Sequence, residues 1–142
     1  MTKSLNNLEE LKKIDPFSTL NMSLIDCSDE SASIKIKLDN NRNDKDTMFA
    51  GSIFSAMVLT GWLLAKQICH NDGFQYDVVV KGSKTLFARP VTSDCVTRAS
   101  LVKEVIRKAN GNLAIKIVVS LFDEAEIRYS KLIGNYVGVK KA

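Results

Sequence analysis

The residues best suited to chemistry lie where a polar loop runs into an uncharged segment. The loop contains Asn43 and two acids, Asp44 and Asp46, and the segment that follows begins with a small pair, Gly51 and Ser52. The first N–H groups of a helix have no intrahelical partner and lie at the positive end of the helix dipole, so a helix beginning here could bind a negatively charged oxygen. Gly51 would let a ligand approach that backbone, although small residues are also expected where another segment crosses close above a helix.

The uncharged segment is long enough to raise the question of a membrane span. It contains no charged residue from Met48 to Ala65, and as a helix it would rise about 27 Å, against about 30 Å for a hydrocarbon core. It is rich in small and lightly polar residues, however, and the strands predicted below need an apolar element to enclose. We therefore predict a helix buried in a protein core and no membrane span.

Composition and charge limit the class of protein. A chain of 142 residues suits one domain, which we place at residues 1–142. The net charge is +4 with acids and bases interspersed, which suits an acidic macromolecular partner at least as well as nucleic acid. We expect no nucleic-acid partner. Three cysteines without paired spacing predict neither disulfides nor a zinc site, and His70, the only histidine, falls at the far end of the predicted helix. No secretory signal is apparent, so we expect a cytoplasmic protein without metal or cofactor.

Hydrophobic periodicity predicts the other elements in chain order. Apolar residues at helical spacing predict a short helix over residues 5–14, with Asn7 as a candidate N-cap and Asp15-Pro16 as its end. Alternating patterns predict strands over residues 20–24, 32–38, 77–89, 95–107, 113–121 and 127–139, with Asn110-Gly111 as a hairpin turn. Long strands twist, and a twisted antiparallel sheet can enclose a helix. The order therefore predicts an α+β hotdog domain, a single long central helix wrapped by a curved antiparallel sheet.

The residues around the helix start also resemble a known family. The pattern Asn43-x-x-x-Thr47-Met48-Phe49-Ala50-Gly51-Ser52-Ile53, followed by Leu59-Thr60-Gly61-Trp62, is similar to the thioesterase-like hotdog family typified by the C-terminal domain of YiiD. Within that family it is most similar to the malonyl-ACP decarboxylases that initiate fatty-acid synthesis. Residues 86–91 resemble the family's third strand, so the resemblance covers nearly the whole chain. The charged run Asp44-Lys45-Asp46 departs from the family pattern.

The resemblance implies roles for particular residues. Asn43 becomes the catalytic amide, although its residue type alone indicates a turn, and the thioester lies at Gly51 and Ser52. We expect Phe49 and Thr60 to line the substrate pocket.

Thr47 is assigned to the same pocket, with helix capping as its alternative role. Three basic residues near the expected mouth would dock an acidic carrier protein, namely Arg42, Lys45 and Arg89.

Two reactions and one non-catalytic role fit this site. Hydrolysis needs a base, and because the helix offers no carboxylate, a hydrolase must recruit Asp44 or Asp46. Decarboxylation needs donors on an enolate oxygen and a neutral group that orients the carboxylate, which helix N–H groups and Asn43 can supply. We predict malonyl-ACP decarboxylation, with an acyl-CoA or acyl-ACP thioesterase as the alternative and an acyl-binding module as the third hypothesis. Open sheet edges predict a homodimer or a dimer of dimers.

Overall fold

The computed structural model describes residues 6–142, so Leu5 of the predicted first helix lies outside the described part. Two short helices open the chain and one long helix follows the first two strands. The elements are α1 (Asn7–Lys12), α2 (Asp15–Thr19), β1 (Met22–Cys27), β2 (Ser31–Ile36), α3 (Ala50–Asn71), β3 (Tyr76–Phe87), β4 (Cys95–Leu101), β5 (Ile106–Arg107), β6 (Leu113–Phe122) and β7 (Arg128–Lys140).

Seven strands form one antiparallel sheet. Six of them lie in the order β1-β2-β4-β6-β7-β3, and the two-residue β5 pairs with β6 beside this path. The longest pairing joins β3 to β7, from Tyr76 opposite Lys140 to Phe87 opposite Ser130. β3 is therefore a 12-residue edge strand.

The core lies between this sheet and α3. Along β6 every second residue is buried, starting at Leu113, because that face of the strand packs against the helix while the other faces outward. α3 is long and apolar enough to cross a membrane, yet 61% of its most apolar 18-residue window is buried inside the protein. The prediction of one central helix wrapped by an antiparallel sheet is confirmed.

A close approach between α3 and β7 fixes the helix against the sheet. The hydroxyl of Tyr136 donates a hydrogen bond of 2.7 Å to the carbonyl of Val58. A Cβ atom at Gly61 would lie 2.2 Å from that same hydroxyl oxygen. The helix therefore needs a glycine at position 61 to accommodate the buried tyrosine.

Several predicted element ends were wrong. Asn6, not Asn7, caps α1 by accepting from the Glu9 N–H, and Pro16 lies in the first turn of α2, where proline is tolerated, instead of ending helical structure. α3, in contrast, ends at Asn71, directly before Asp72-Gly73, and its buried face persists as far as Cys69.

The predicted strand over residues 95–107 is interrupted. β4 ends at Leu101, and β5 resumes the pairing with β6 only at Ile106. The residues between them leave the regular ladder after one further bond, from the Val102 N–H to the Lys116 carbonyl. Sequence alternation alone did not distinguish this break, because residues 102–106 keep the β-branched composition of a strand.

Candidate functional site

The loop before α3 is fixed at both ends. The buried Asn41 side chain donates to the carbonyls of Leu20 and Lys37, at 2.7 and 2.8 Å. The N–H of Met48 donates to the carbonyl of Val91, at 2.8 Å. The loop is therefore held between the start of the sheet and the connection that follows β3.

Asn43 organises the turn at the tip of this loop. Its Oδ1 accepts hydrogen bonds from the N–H groups of Lys45 and Thr47, at 2.9 and 3.1 Å, and its Nδ2 donates to the Thr47 hydroxyl at 2.8 Å. This is an Asx-type turn, so the residue does what its type alone indicated. The same bonds fix the orientation of the amide and leave one of its two Nδ2 protons for another acceptor.

Asn43 and Thr47 line an open groove of about 340 Å³ between the loop and the end of β3. Ala50, the first residue of α3, lies in the groove wall. The groove has no Asp, Glu, His or Cys side chain among its described lining residues, which are Asn43, Thr47, Met48, Ala50, Ile53, Phe87, Ala88, Arg89, Pro90 and Val91.

The first turn of α3 supplies two free N–H groups. The Ser52 N–H donates to the carbonyl of Phe49 at 3.0 Å, so the expected donor at Ser52 is already occupied. The N–H groups of Ala50 and Gly51 form no hydrogen bond with the described residues. Because no side chain caps this end of the helix, the available anion-binding donors are those of Ala50 and Gly51.

Phe49 does not line the groove. A Cβ atom at Gly51 would lie 2.3 Å from the Phe49 ring, which is folded over the start of the helix and remains 56% exposed. The small size of Gly51 thus accommodates an aromatic ring, and the prediction of Phe49 as a pocket residue fails for this groove. Thr47 does not cap α3 either, since Phe49 is the N-cap residue.

Thr60 is a core residue and not part of an open pocket. It is fully buried, its hydroxyl donates to the Ala56 carbonyl at 2.6 Å, and it also bonds to the hydroxyl of Thr97 on β4. The Thr97 hydroxyl in turn lies 3.1 Å from the carbonyl oxygen of Ile34. The prediction was wrong because the sequence did not reveal that a strand hydroxyl meets Thr60 under the sheet.

The three expected docking cations differ in their surroundings. Arg42 pairs with Asp39 at 2.5 Å and Lys45 pairs with Asp44 at 3.5 Å, both away from the groove lining. Only Arg89 lines the groove, where its guanidinium lies 5.7 Å from the centre of the Tyr129 ring.

Tyr129 also connects Arg89 to an acid. Its hydroxyl donates to Asp123 at 2.9 Å, and this bond raises the pKa of Tyr129 above its usual value. The pKa of Asp123 is lowered, chiefly by the backbone N–H of Ile127 and further by Tyr129. Asp123 is therefore ionised at neutral pH, and the positive charge of Arg89 contributes to its lowered pKa.

The two acids considered as hydrolytic bases do not line the groove. Asp44 and Asp46 are both exposed, and Asp46 adopts a left-handed backbone with a φ of 62°. A hydrolase reaction at this groove would need one of these side chains to move inward.

Two hydroxyls near the groove were missed by the sequence analysis. Ser130 lies opposite the groove residue Phe87 in the β3–β7 pairing and is only 2% exposed, yet its Oγ has no hydrogen-bond partner among the described residues. Thr85 lies on the same face of β3 as Phe87, and its buried Oγ1 also has no hydrogen-bond partner among the described residues. The only sequence signal was a hydroxyl residue at an inward position of an alternating strand.

Several solved protein structures have folds similar to this one. The fold is similar to that of a thioesterase-type protein from Shewanella oneidensis, at 24% identity and a TM-score of 0.83 over 94% of this chain and 97% of that one. It also resembles a thioesterase from Haemophilus influenzae, at 16% identity and a TM-score of 0.76 over 97% and 91% of the two chains. The E. coli PaaI protein of the phenylacetic acid degradation operon matches at 10% identity and a TM-score of 0.76, over 94% and 91%.

These likenesses establish the hotdog fold. No curated protein sequence matches the chain significantly. Residues 9–140 match the family described as "Putative thioesterase (yiiD_Cterm)". Because that match spans almost the whole chain, the protein belongs to this family of thioesterase-type hotdog proteins.

Proposed function

We propose that this protein decarboxylates malonyl-ACP to acetyl-ACP and CO2, in the cytoplasm and as an initiating step of fatty-acid synthesis. The observation that carries the proposal is the composition of the groove. Ala50, one of the two residues with a free N–H group at the start of α3, lines it together with an oriented neutral amide, and no carboxylate or imidazole is among its described lining residues. Gly51, whose N–H is also free, is the next residue of the helix but does not line the groove, and neither does Ser52. Such a site can stabilise an oxyanion but has no base in place to activate water.

The free N–H groups would stabilise the enolate that decarboxylation produces. The bond between the malonyl Cα and its carboxylate breaks, CO2 leaves, and the electron pair moves onto the thioester oxygen as an enolate. The N–H groups of Ala50 and Gly51 would hold that oxygen. Water then protonates the enolate carbon and gives the acetyl thioester.

Asn43 would act on the leaving carboxylate. Its remaining Nδ2 proton can orient the carboxylate out of the carbonyl plane, and the bonds to Thr47 and Lys45 fix the position of that donor. A neutral donor stabilises the substrate carboxylate less than a cation does, so it raises the barrier to CO2 loss less.

Thioester hydrolysis is the second candidate. It is favoured by the family description and by the position of Asp44 and Asp46 in the loop that bounds the groove. In that case one of these acids would turn inward as the base, and the products would be the free thiol and the acid. The substrate in either case is a carrier-bound or CoA thioester.

The edge strand supports a homodimer. β3 leaves its outer backbone groups unpaired over 12 residues. It also exposes Val80 and Phe87, which are 43% and 44% exposed. A second copy pairing along β3 would cover this edge. Light scattering after gel filtration should give a dimer or tetramer mass; a stable monomer at micromolar concentration would contradict this arrangement.

Three variants distinguish decarboxylation from hydrolysis. Asn43→Ala should lower decarboxylation about a hundredfold or more, because it removes a donor to the substrate. Asp44→Asn and Asp46→Asn should change decarboxylation little. Loss of activity in either aspartate variant, with Asn43→Ala retaining activity and free thiol as the product, would establish the hydrolase instead.

A further inference from the structure

The outer face of the sheet carries a group of lysines that the sequence did not reveal as a cluster. On β7 the buried residues Leu132, Gly134 and Tyr136 face α3, so the residues between them face outward. Pairing places Lys84 and Val118 beside Ile133, and Leu86 and Ser120 beside Lys131. Directly paired residues share one face of a sheet. Lys84 of β3, Lys131 of β7 and Lys116 of β6, which pairs with Asn135, therefore lie on the same outer surface.

We call this surface the lysine face and define it by Lys81, Lys84, Lys103, Lys108, Lys116 and Lys131. Its members line two separate shallow grooves. One, of about 290 Å³, is lined by four of the lysines together with Asn135. The other, of about 300 Å³, is lined by Lys84 and Lys131 together with Leu86 and Ile133.

The charge of the lysine face is uncompensated within the chain. None of its six lysines forms an ion pair with a described residue, whereas Arg42 and Lys45 already pair with Asp39 and Asp44. Removing these six from the 20 basic residues leaves fewer than the 16 acidic ones. The rest of the chain, with 14 basic and 16 acidic residues, therefore carries a small negative charge, and the six lysines more than account for the net charge of +4.

We propose that the lysine face docks an acidic acyl carrier protein, a proposal that rests on the proposed function. Position favours it: Leu86 and its neighbour Lys131 lie next to Phe87, which lines the site groove, and Lys84 lies about 10 Å from Phe87 along the strand. The flexible phosphopantetheine arm of a carrier can cross that distance. Edge pairing along β3 would leave the face uncovered.

The chemistry of the face favours a protein partner. Lys84 and Lys131 are diagonal neighbours, about 7–8 Å apart at their Cα atoms, on a sheet that curves away around α3. Side chains so arranged diverge, which suits the spaced carboxylates of an acidic helix better than one small anion. The apolar residues next to them, Val118 and Ile133, are aliphatic, whereas single-stranded nucleic-acid sites typically present aromatic rings for base stacking.

The test compares two charge-matched double variants in a binding assay. Lys84→Glu/Lys131→Glu reverses the lysine face, and Lys12→Glu/Lys37→Glu reverses two other exposed lysines that form no ion pair. Binding of a fluorescent carrier protein bearing a non-hydrolysable acyl group is measured at several salt concentrations. The face variant should bind on the order of tenfold more weakly, with a shallower salt dependence, and the control should stay within about twofold of wild type.

Turnover of a small malonyl pantetheine thioester separates this proposal from the proposed function. It should be unchanged in both double variants, because neither touches the groove lining. Equal weakening of carrier binding in the two variants would overturn the docking proposal. The docking proposal would also be overturned if the wild type bound anionic vesicles or RNA but not the carrier protein, and if the Lys84→Glu/Lys131→Glu variant lost that binding. If the face binds the carrier and wild type turns over no thioester, docking stands and the proposed reaction fails.

Discussion

Replacing Asn43 by Asp separates its structural role from its chemical one. The aspartate keeps the Oδ1 acceptor that receives the N–H groups of Lys45 and Thr47, and the Thr47 hydroxyl can rotate to donate to the second oxygen. The turn therefore retains its three hydrogen bonds, and the free energy of unfolding should change by no more than about 1 kcal/mol. Asn43→Ala loses all three hydrogen bonds. At about 0.5–1.5 kcal/mol per bond, the free energy of unfolding should fall by about 1.5–4.5 kcal/mol.

The chemical effect of Asn43→Asp should be large in comparison. The variant replaces the free Nδ2 proton by a negative oxygen beside the substrate carboxylate, and loss of one such donor lowers the rate by about 10²–10³, or 2.7–4 kcal/mol. Urea unfolding measures the stability, and mass spectrometry of the carrier measures decarboxylation. Full decarboxylation by a folded Asn43→Asp would refute the role of this amide. Faster release of malonate and free carrier than in wild type would show that the groove is a hydrolase site short of a base.

Two further predictions concern packing and thiol reactivity. Gly61→Ala should destabilise the protein by about 2–4 kcal/mol in urea unfolding, because the new Cβ atom displaces the Tyr136 hydroxyl. Gly82→Ala is the control: no atom lies within 4 Å of a Cβ atom at this position, and the free energy of unfolding should change by less than about 1 kcal/mol. Similar effects of the two variants would refute the close approach. Burial raises the pKa of the three cysteine thiols, to about 11 for Cys27, about 12 for Cys69 and about 11 for Cys95, so they stay protonated at pH 8. Iodoacetamide should therefore label the native protein at least about a hundredfold more slowly than free cysteine. Labelling at the rate of free cysteine would contradict this burial.

The fold could be predicted because its signals are local. An uncharged segment identified α3, and alternating residues identified the long strands, since both patterns reflect burial on one side of an element. The short β5 and the break after Leu101 were missed because pairing with β6, not residue type, decides where β4 ends.

The site could be predicted only in part. Asn43, Thr47 and Arg89 do meet in one groove, because the loop and the end of β3 are both adjacent to the start of α3. The contact between Thr60 and Thr97 and the occupied N–H of Ser52 depend on tertiary register and on the local turn geometry. The lysine face likewise exists only through the register of β3, β7 and β6, which no sequence pattern specifies.

In the proposed reaction the groove breaks a carbon–carbon bond and leaves the thioester intact. Incubating the wild-type protein with malonyl-ACP labelled with ¹³C in the free carboxyl group tests it directly, with the carrier and the released carbon both followed by mass spectrometry. Because no carboxylate or imidazole is among the described groove-lining residues, we expect labelled CO2 and an unlabelled acetyl-ACP. Labelled malonate together with free ACP thiol would contradict the claim and identify the protein as a thioesterase.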